Sequence, residues 1–201
     1  IFDISKKSQI DFNLLSKLSR ASFVPLTYGG KINEIDDIEN VINLGFEKIS
    51  INNLAIENLP LVEKCISKFG SSTVSVSVNL KKNFFGKYKI YNHRQKKLLK
   101  IEYQDYLKKI DRLKPGEILL SFVDNEGMKS GFDLDLIKDL KKITNSNLLI
   151  NGGLKNFSEI LQIKNLNLSG VAASRIFSFK DSLESILISY IDTETKKEIY
   201  E

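Results

Sequence analysis

Two glycine pairs and one aspartate carry the chemistry legible in this sequence. "TYGGKI" (Thr27 to Ile32) follows the apolar run "FVPL", and "INGGLK" (Ile150 to Lys155) follows "NLL". The pairs lie 123 residues apart, Gly29-Gly30 against Gly152-Gly153. A glycine pair ending a strand lets backbone approach a ligand closely. If a helix begins just beyond, its free N–H groups favour an anion. On turn chemistry alone, the same glycines could serve only tight connections. Asp124 ends the apolar run "EILLSFV" and opens the loop "DNEGMKSG". A carboxyl there could exchange protons with a substrate if partial burial raises its pKa. Equally, it could cap a helix or pair with Lys129. Ser-His-Asp and Cys-His chemistry has no support: His93 is the single histidine and Cys65 the single cysteine.

The elements that hold these residues alternate regularly. Strand candidates are 1–4, 23–27, 48–51, 73–78, 117–122, 147–150 and 169–172. Helical patterns lie near 10–20, 33–44, 58–68, 102–113, 133–143 and 156–164, with a last one near 182–190. In "NEIDDIENVINLG", Ile35, Ile38, Val41 and Ile42 form one stripe, and Gly45 stops the helix. Strands joined through helices run parallel and are covered on both faces. An open doubly wound sheet and a (βα)8 barrel both fit. Seven units in one domain spanning 1–201 favour an α/β barrel of TIM type whose first unit is absent.

The spacing also shows a two-fold internal repeat. Phe2-Asp3 matches Val123-Asp124 at an offset of 121, and Asp11 matches Asp133 at 122. The strand after each glycine pair ends in small polar residues: Asn52-Asn53, and Ala173-Ser174. Gly30 with Asn52, and Gly153 with Ser174, would then each hold a phosphate. Two related cradles at one barrel mouth imply a ligand with a phosphate at each end.

Composition narrows the class. The 201 residues are 42% hydrophobic, enough for one core. No apolar run approaches the roughly 18–20 residues of a membrane span. One cysteine and one histidine exclude an internal disulfide and a multi-histidine metal centre, and a reducing, cytoplasmic setting is expected. Cys65, in a helical pattern, reads as a small core residue. The net charge of +5 is concentrated at 81–100, which hold eight Lys/Arg and no Asp/Glu. That stretch reads as a solvated hairpin, with an anion or nucleic-acid site as the alternative.

Three segments carry a family resemblance: "EKISINNLAIENLPLVEKCISKFGS", "GEILLSFVDNEGMKSGFD" and "GVAASRIF". They resemble the HisF family, the cyclase subunit of imidazole glycerol phosphate synthase, over 1–191. The resemblance implies a (βα)8 barrel that closes an imidazole ring. Ammonia from a HisH-type glutaminase, docked on the N-terminal face in a heterodimer, crosses the barrel. It reacts with PRFAR, which carries two phosphates, to give imidazole glycerol phosphate and AICAR in histidine biosynthesis. No cofactor or metal is implied. Asp124 matches the general acid/base, Asp3 an active-site acid, and Gly30, Asn52, Gly153 and Ser174 the phosphate-binding positions. Lys48 matches a lysine at the ammonia entrance; by itself it reads as a solvated lysine before a strand.

By this alignment the chain starts in the second barrel strand, and the first strand, with another catalytic aspartate, is missing. Such a piece is expected to be poorly soluble and inactive alone. Lys31, Asn79, Met128 and Asn151 depart from the family pattern. They point to a divergent or second-copy member. Two alternatives are a HisF-like subunit delivering ammonia for sugar amidination in surface-glycan biosynthesis, and a non-catalytic barrel that scaffolds a glutaminase.

Overall fold

The computed structural model describes residues 9–180, 185–186 and 190–200. Its centre is a parallel wall of six strands: β1 (Thr27–Gly29), β2 (Lys48–Ile51), β3 (Val74–Lys82), β6 (Glu117–Phe122), β7 (Asn147–Asn151) and β8 (Gly170–Ala172), in that spatial order. An antiparallel arm, β4 (Tyr88–Asn92) and β5 (Lys97–Leu98), continues from β3. Helices α1 (Phe12–Ala21), α2 (Ile35–Asn43), α3 (Asn53–Glu57), α4 (Leu59–Phe69), α5 (Tyr103–Arg112), α6 (Leu134–Ile143), α7 (Ser158–Lys164) and α8 (Arg175–Ser178) alternate with the strands. A strand pair, β9 (Phe179–Lys180) with β10 (Ser185–Ile186), and helix α9 (Thr193–Tyr200) follow. The parallel sheet with alternating helices is that of a (βα)8 TIM-barrel protein.

Strand alternation sets which residues meet the helices and which meet the lumen. In β3, Val74, Val76, Val78 and Leu80 are fully buried against the helical layer. Ser75, Ser77 and Asn79 take the opposite face, since successive side chains point to opposite sides. Ile118, Leu120 and Phe122 of β6, and Leu148 and Ile150 of β7, repeat the outward pattern. Each such buried side chain contributes about 1.5–3 kcal/mol. The lumen face instead carries Ser50, Ser75, Ser77, Asn79 and Ser121, all buried. Barrel interiors usually fill with branched aliphatic residues. Serines leave room, so the sequence pattern "VSVSVN" hollows the upper lumen.

Helix starts bear out the internal repeat in physical terms. Asp11 caps α1 by accepting from Leu14 N at 3.0 Å. Its repeat partner Asp133 caps α6 by accepting from Leu136 N at 3.0 Å. Asn58 does the same for α4 through Leu61 N, and Gly70, at φ +87°, ends that helix. Cys65 is fully buried in α4, and burial pushes its thiol pKa up.

Several boundaries differ from the sequence reading. The strand expected at 23–27 begins only at Thr27. Ser22 Oγ folds the preceding turn by bonding both Val24 O and Val24 N, leaving Phe23 and Val24 exposed. The strand expected at 73–78 runs on to Lys82, because its last residues pair with β4. The helix expected near 182–190 is replaced at Ser185–Ile186 by strand pairing, which satisfies those backbone groups across the ladder. The strand expected at 1–4, and Asp3 with it, lie outside the described residues.

Candidate functional site

One cavity of about 1230 Å³ opens at the C-terminal ends of the strands. Gly29 and Gly30 line it after β1, and Gly152 and Gly153 after β7. Both halves of the repeat therefore reach the same mouth. Asn52 and Ser174, the expected strand-end residues, also line it. Its floor is the luminal Ser50, Ser77, Asn79, Ser121 and Asn151.

The glycines at the second turn are required by packing. Gly153 sits at φ +108°, and a Cβ there would lie 2.9 Å from Asn125 Cβ and 3.1 Å from Gly131 O. Gly153 O accepts from Gly131 N at 2.7 Å, clipping this turn to the loop after β6. The first turn differs: Lys31 follows Gly30 at φ +54°, and its ammonium donates to Gln9 O at 3.2 Å.

Asn52 is less free than the sequence implied. Its amide donates to Ser77 O at 2.7 Å, and its carbonyl accepts from Asn79 Nδ2 at 3.3 Å. This amide chain ties β2 to β3 at the rim of the cavity, which Asn52 and Asn53 line. Ser50 Oγ and Asn53 Oδ1 are buried without a hydrogen-bond partner. Both residues line the cavity, so a polar ligand or water would satisfy them.

Asp124 does not line the cavity. It sits in the short turn after β6, where its Oδ2 accepts from Lys82 N at 2.7 Å and its Oδ1 lies 3.9 Å from Lys81 Nζ. Its partners are the end of β3, rather than Lys129. Among the described residues, the acid that does line the cavity is Glu126, two residues on. Its carboxylate meets Asn151 Nδ2 at 3.4 Å, and burial raises its pKa above the ordinary carboxyl value.

The basic stretch is partly a wall of the site. Its hairpin turn is closed by Asn83, whose side chain accepts from Phe85 N and Lys87 N, and Phe84 and Phe85 are exposed at the tip. Past β4, the chain brings His93 and Arg94 back onto the cavity. Arg94 pairs with Glu57 at 3.1 Å and donates to Asn33 Oδ1 at 2.6 Å. His93 stacks edge-on to Tyr91, and burial, then the nearby Lys81 charge, lower its pKa. The sequence reading left His93 in a solvated loop; local periodicity carried no signal for this return. Among the described residues, Lys31, Arg94, Lys129 and Arg175 face a single acid, Glu126, around the lining. That balance favours an anionic ligand.

At the opposite end of the barrel, Lys48 begins β2 and forms an ion pair with Glu117, which begins β6. From Lys48 to Asn52 the strand rises about 13 Å, at roughly 3.3 Å per residue. Between the pair and the cavity the luminal face carries Ser50, Ser75 and Ser77 together with the buried Leu119 of β6, which is in register with Ser77.

Comparison with known proteins places this geometry. The family model described as "Histidine biosynthesis protein" matches residues 1–183. The chain is 37% identical over 179 residues to a Campylobacter jejuni protein named "Putative imidazole glycerol phosphate synthase subunit hisF2", covering 88% of this chain and 70% of the relative. The chain belongs to the HisF family. A Leptospira interrogans protein named "Putative imidazole glycerol phosphate synthase subunit HisF" is 30% identical over 192 residues, with 94% and 76% covered. The "Imidazole glycerol phosphate synthase subunit HisF" of Alkaliphilus metalliredigens is 33% identical over 141 residues, with 70% and 56% covered. HisF membership accounts for the fold and for the histidine-biosynthesis theme of the matched family. None of the described helices is long and apolar enough to cross a membrane.

Proposed function

We propose that this HisF-family protein is the cyclase subunit of an imidazole glycerol phosphate synthase. It takes ammonia from a glutaminase partner and converts PRFAR to imidazole glycerol phosphate and AICAR. The observation that carries the reading is the shared mouth: both glycine turns of the repeat line one cavity around which, among the described residues, cations outnumber acids. A substrate with a phosphate at each end spans such a mouth. Gly30 with the backbone at Asn52 would hold one phosphate, and Gly153 with Ser174 the other. Asp3 is a further substrate contact in this reading. The resemblance gives the proton transfers to Asp124, whose carboxylate reaches the acceptor once its contact with Lys82 N opens.

Delivery of ammonia is supported by the opposite end of the lumen. The glutaminase would dock where Lys48 and Glu117 pair, and ammonia would enter there. Ser50, with its unpartnered hydroxyl, and Ser75 and Ser77 offer successive hydrogen-bond partners to a small neutral molecule. No cofactor is needed, because ammonia addition and ring closure require only proton transfers.

A second reading, amidination of a sugar in surface-glycan biosynthesis, is favoured by one feature. The floor amides of Asn79 and Asn151 suit neutral hydroxyls rather than charge. Both readings meet one experiment: the full-length protein with ammonium chloride and PRFAR. Ammonia-dependent formation of imidazole glycerol phosphate is expected. Absence of turnover, with glutaminase stimulation only beside a sugar-modifying enzyme, would favour the second reading.

A further inference from the structure

The first glycine turn and the helix after β2 form two walls of one corner of the mouth. One wall is the loop after β1, where Gly29, Gly30, Lys31 and Asn33 line the cavity. The other is α3, which follows Asn52. That helix spans five residues, Asn53–Glu57, so its end offers little dipole field to an anion. At the base of the corner, Ser50 pairs with Gly29 across the β1–β2 ladder. The Ser50 hydroxyl lines the cavity and has no partner, although the residue is only 5% exposed. A buried donor in that state marks the place of a polar ligand atom beside the turn. The lysine of this wall, Lys31, has its ammonium on Gln9 O.

Arg94 reaches this corner from the turn after β4 and touches both walls. Its Nη1 lies 3.1 Å from one oxygen of Glu57 and 3.4 Å from the other. Its Nη2 donates to Asn33 Oδ1 at 2.6 Å. The Asn33 amide donates in turn to Lys31 O at 2.8 Å, which ties the contact to the glycine turn. A guanidinium carries five N–H donors, and these contacts engage Nη1 and Nη2, leaving Nε for a ligand. The side chains of the pair are 46% and 37% exposed, so Glu57 is held only lightly. A phosphate, with more charge and a third oxygen, competes well for such a fork.

We infer that Arg94 is a specificity-determining residue of the first cradle, where its guanidinium exchanges the Glu57 carboxylate for the phosphomonoester at one end of the substrate. The inference rests on the bis-phosphate reading above and adds to it the side chain that demands the charge. Gly30 and the backbone at Asn52 bring no net charge of their own. With Glu57 in place, Arg94 is neutralised and parked; with phosphate in place, the same fork holds the ligand and the Asn33 contact keeps it over the turn. Arg94 lies outside the phosphate-binding positions that the family resemblance implied, because the β4–β5 arm carries it to the site.

The test is steady-state turnover by the full-length protein, with ammonium chloride as nitrogen donor and PRFAR as acceptor. Arg94→Gln is expected to raise KM by at least about fivefold while kcat stays within about threefold. Glu57→Ala breaks the same bridge but frees the guanidinium, so KM is expected to stay level or fall. A merely structural bridge would make the two variants alike. A smaller rise in Arg94→Gln, a loss in kcat alone, or an equal rise in Glu57→Ala overturns the inference and leaves the cyclase reading intact. If the wild type turns over no PRFAR, the cyclase reading falls, and inorganic phosphate decides the inference. The NMR signals of the His93 ring, assigned by their loss in His93→Gln, report locally, since His93 adjoins Arg94 and lines the cavity. At fixed pH they should shift saturably with phosphate in wild type and Glu57→Ala, and need at least about fivefold more phosphate in Arg94→Gln. Equal titrations, or no shift in the wild type, overturn the inference.

Discussion

Replacing Gly153 by alanine tests how the second glycine turn is built. At φ +108° an L-residue costs about 1–2 kcal/mol in backbone strain. The added Cβ would lie 2.9 Å from Asn125 Cβ and 3.1 Å from Gly131 O, one side chain and one backbone atom of the same loop. Forcing that loop outward adds about 1–3 kcal/mol. The sum, about 2–5 kcal/mol, is a large part of the roughly 5–15 kcal/mol that holds a typical domain together. Gly127→Ala is the control: φ is +72°, but nothing lies within 4 Å of its Cβ, so only strain of about 1–2 kcal/mol applies. Urea unfolding of the full-length protein reads the difference. With a slope of about 2 kcal/mol/M, Gly153→Ala should move the midpoint down by roughly 1–2.5 M, and Gly127→Ala by roughly 0.5–1 M. Equal midpoints for the two variants would refute the claim that contact with the β6 loop, beyond backbone strain, demands glycine at 153.

Other consequences are as direct. Ser50→Ala removes a buried hydroxyl that has no partner, so stability should be unchanged or higher by up to about 1 kcal/mol; a lower melting temperature would show that the hydroxyl is satisfied. Ser75→Leu fills the lumen below the cavity lining, and should abolish glutamine-driven turnover while leaving turnover driven by external ammonium far less affected, read by comparing the two nitrogen sources. Lys48→Met breaks a pair whose lysine is 35% exposed, so its stability cost stays within about 1 kcal/mol, and any larger effect should fall on glutamine-driven turnover alone. His93 has its pKa lowered from 6.5, first by burial and then by Lys81. Its neutral form is therefore the one the fold favours. That contribution is complete above pH 6.5 and is lost as pH falls through the lower folded value. His93→Asn should flatten the stability slope below pH 6.5, and an unchanged slope would count against it.

Much of the scaffold was legible because strand alternation and helix stripes are local. β2 and β6 fall on the expected runs 48–51 and 117–122, and the alternation in "VSVSVN" separates core valines from luminal serines along β3. The repeat was legible too, since Asp11 and Asp133 cap equivalent helices and both glycine pairs reach one mouth. What escaped the sequence depends on distant pairing. The hairpin that pairs Lys81 with Lys89 was expected from the sequence; what no local pattern says is that the chain past β4 brings His93 and Arg94 to the cavity. The direction of Asp124 is likewise set by a backbone N–H 42 residues away, on Lys82. Apolar content alone failed at Phe23-Val24, where a local turn at Ser22 leaves both side chains in solvent.

One assay tests the cyclase reaction itself: PRFAR supplied to the full-length protein with and without ammonium chloride, and product formation followed over time. Imidazole glycerol phosphate and AICAR are expected in equal amounts, only when ammonium is present. A folded protein that binds the bis-phosphate yet forms neither product would contradict it.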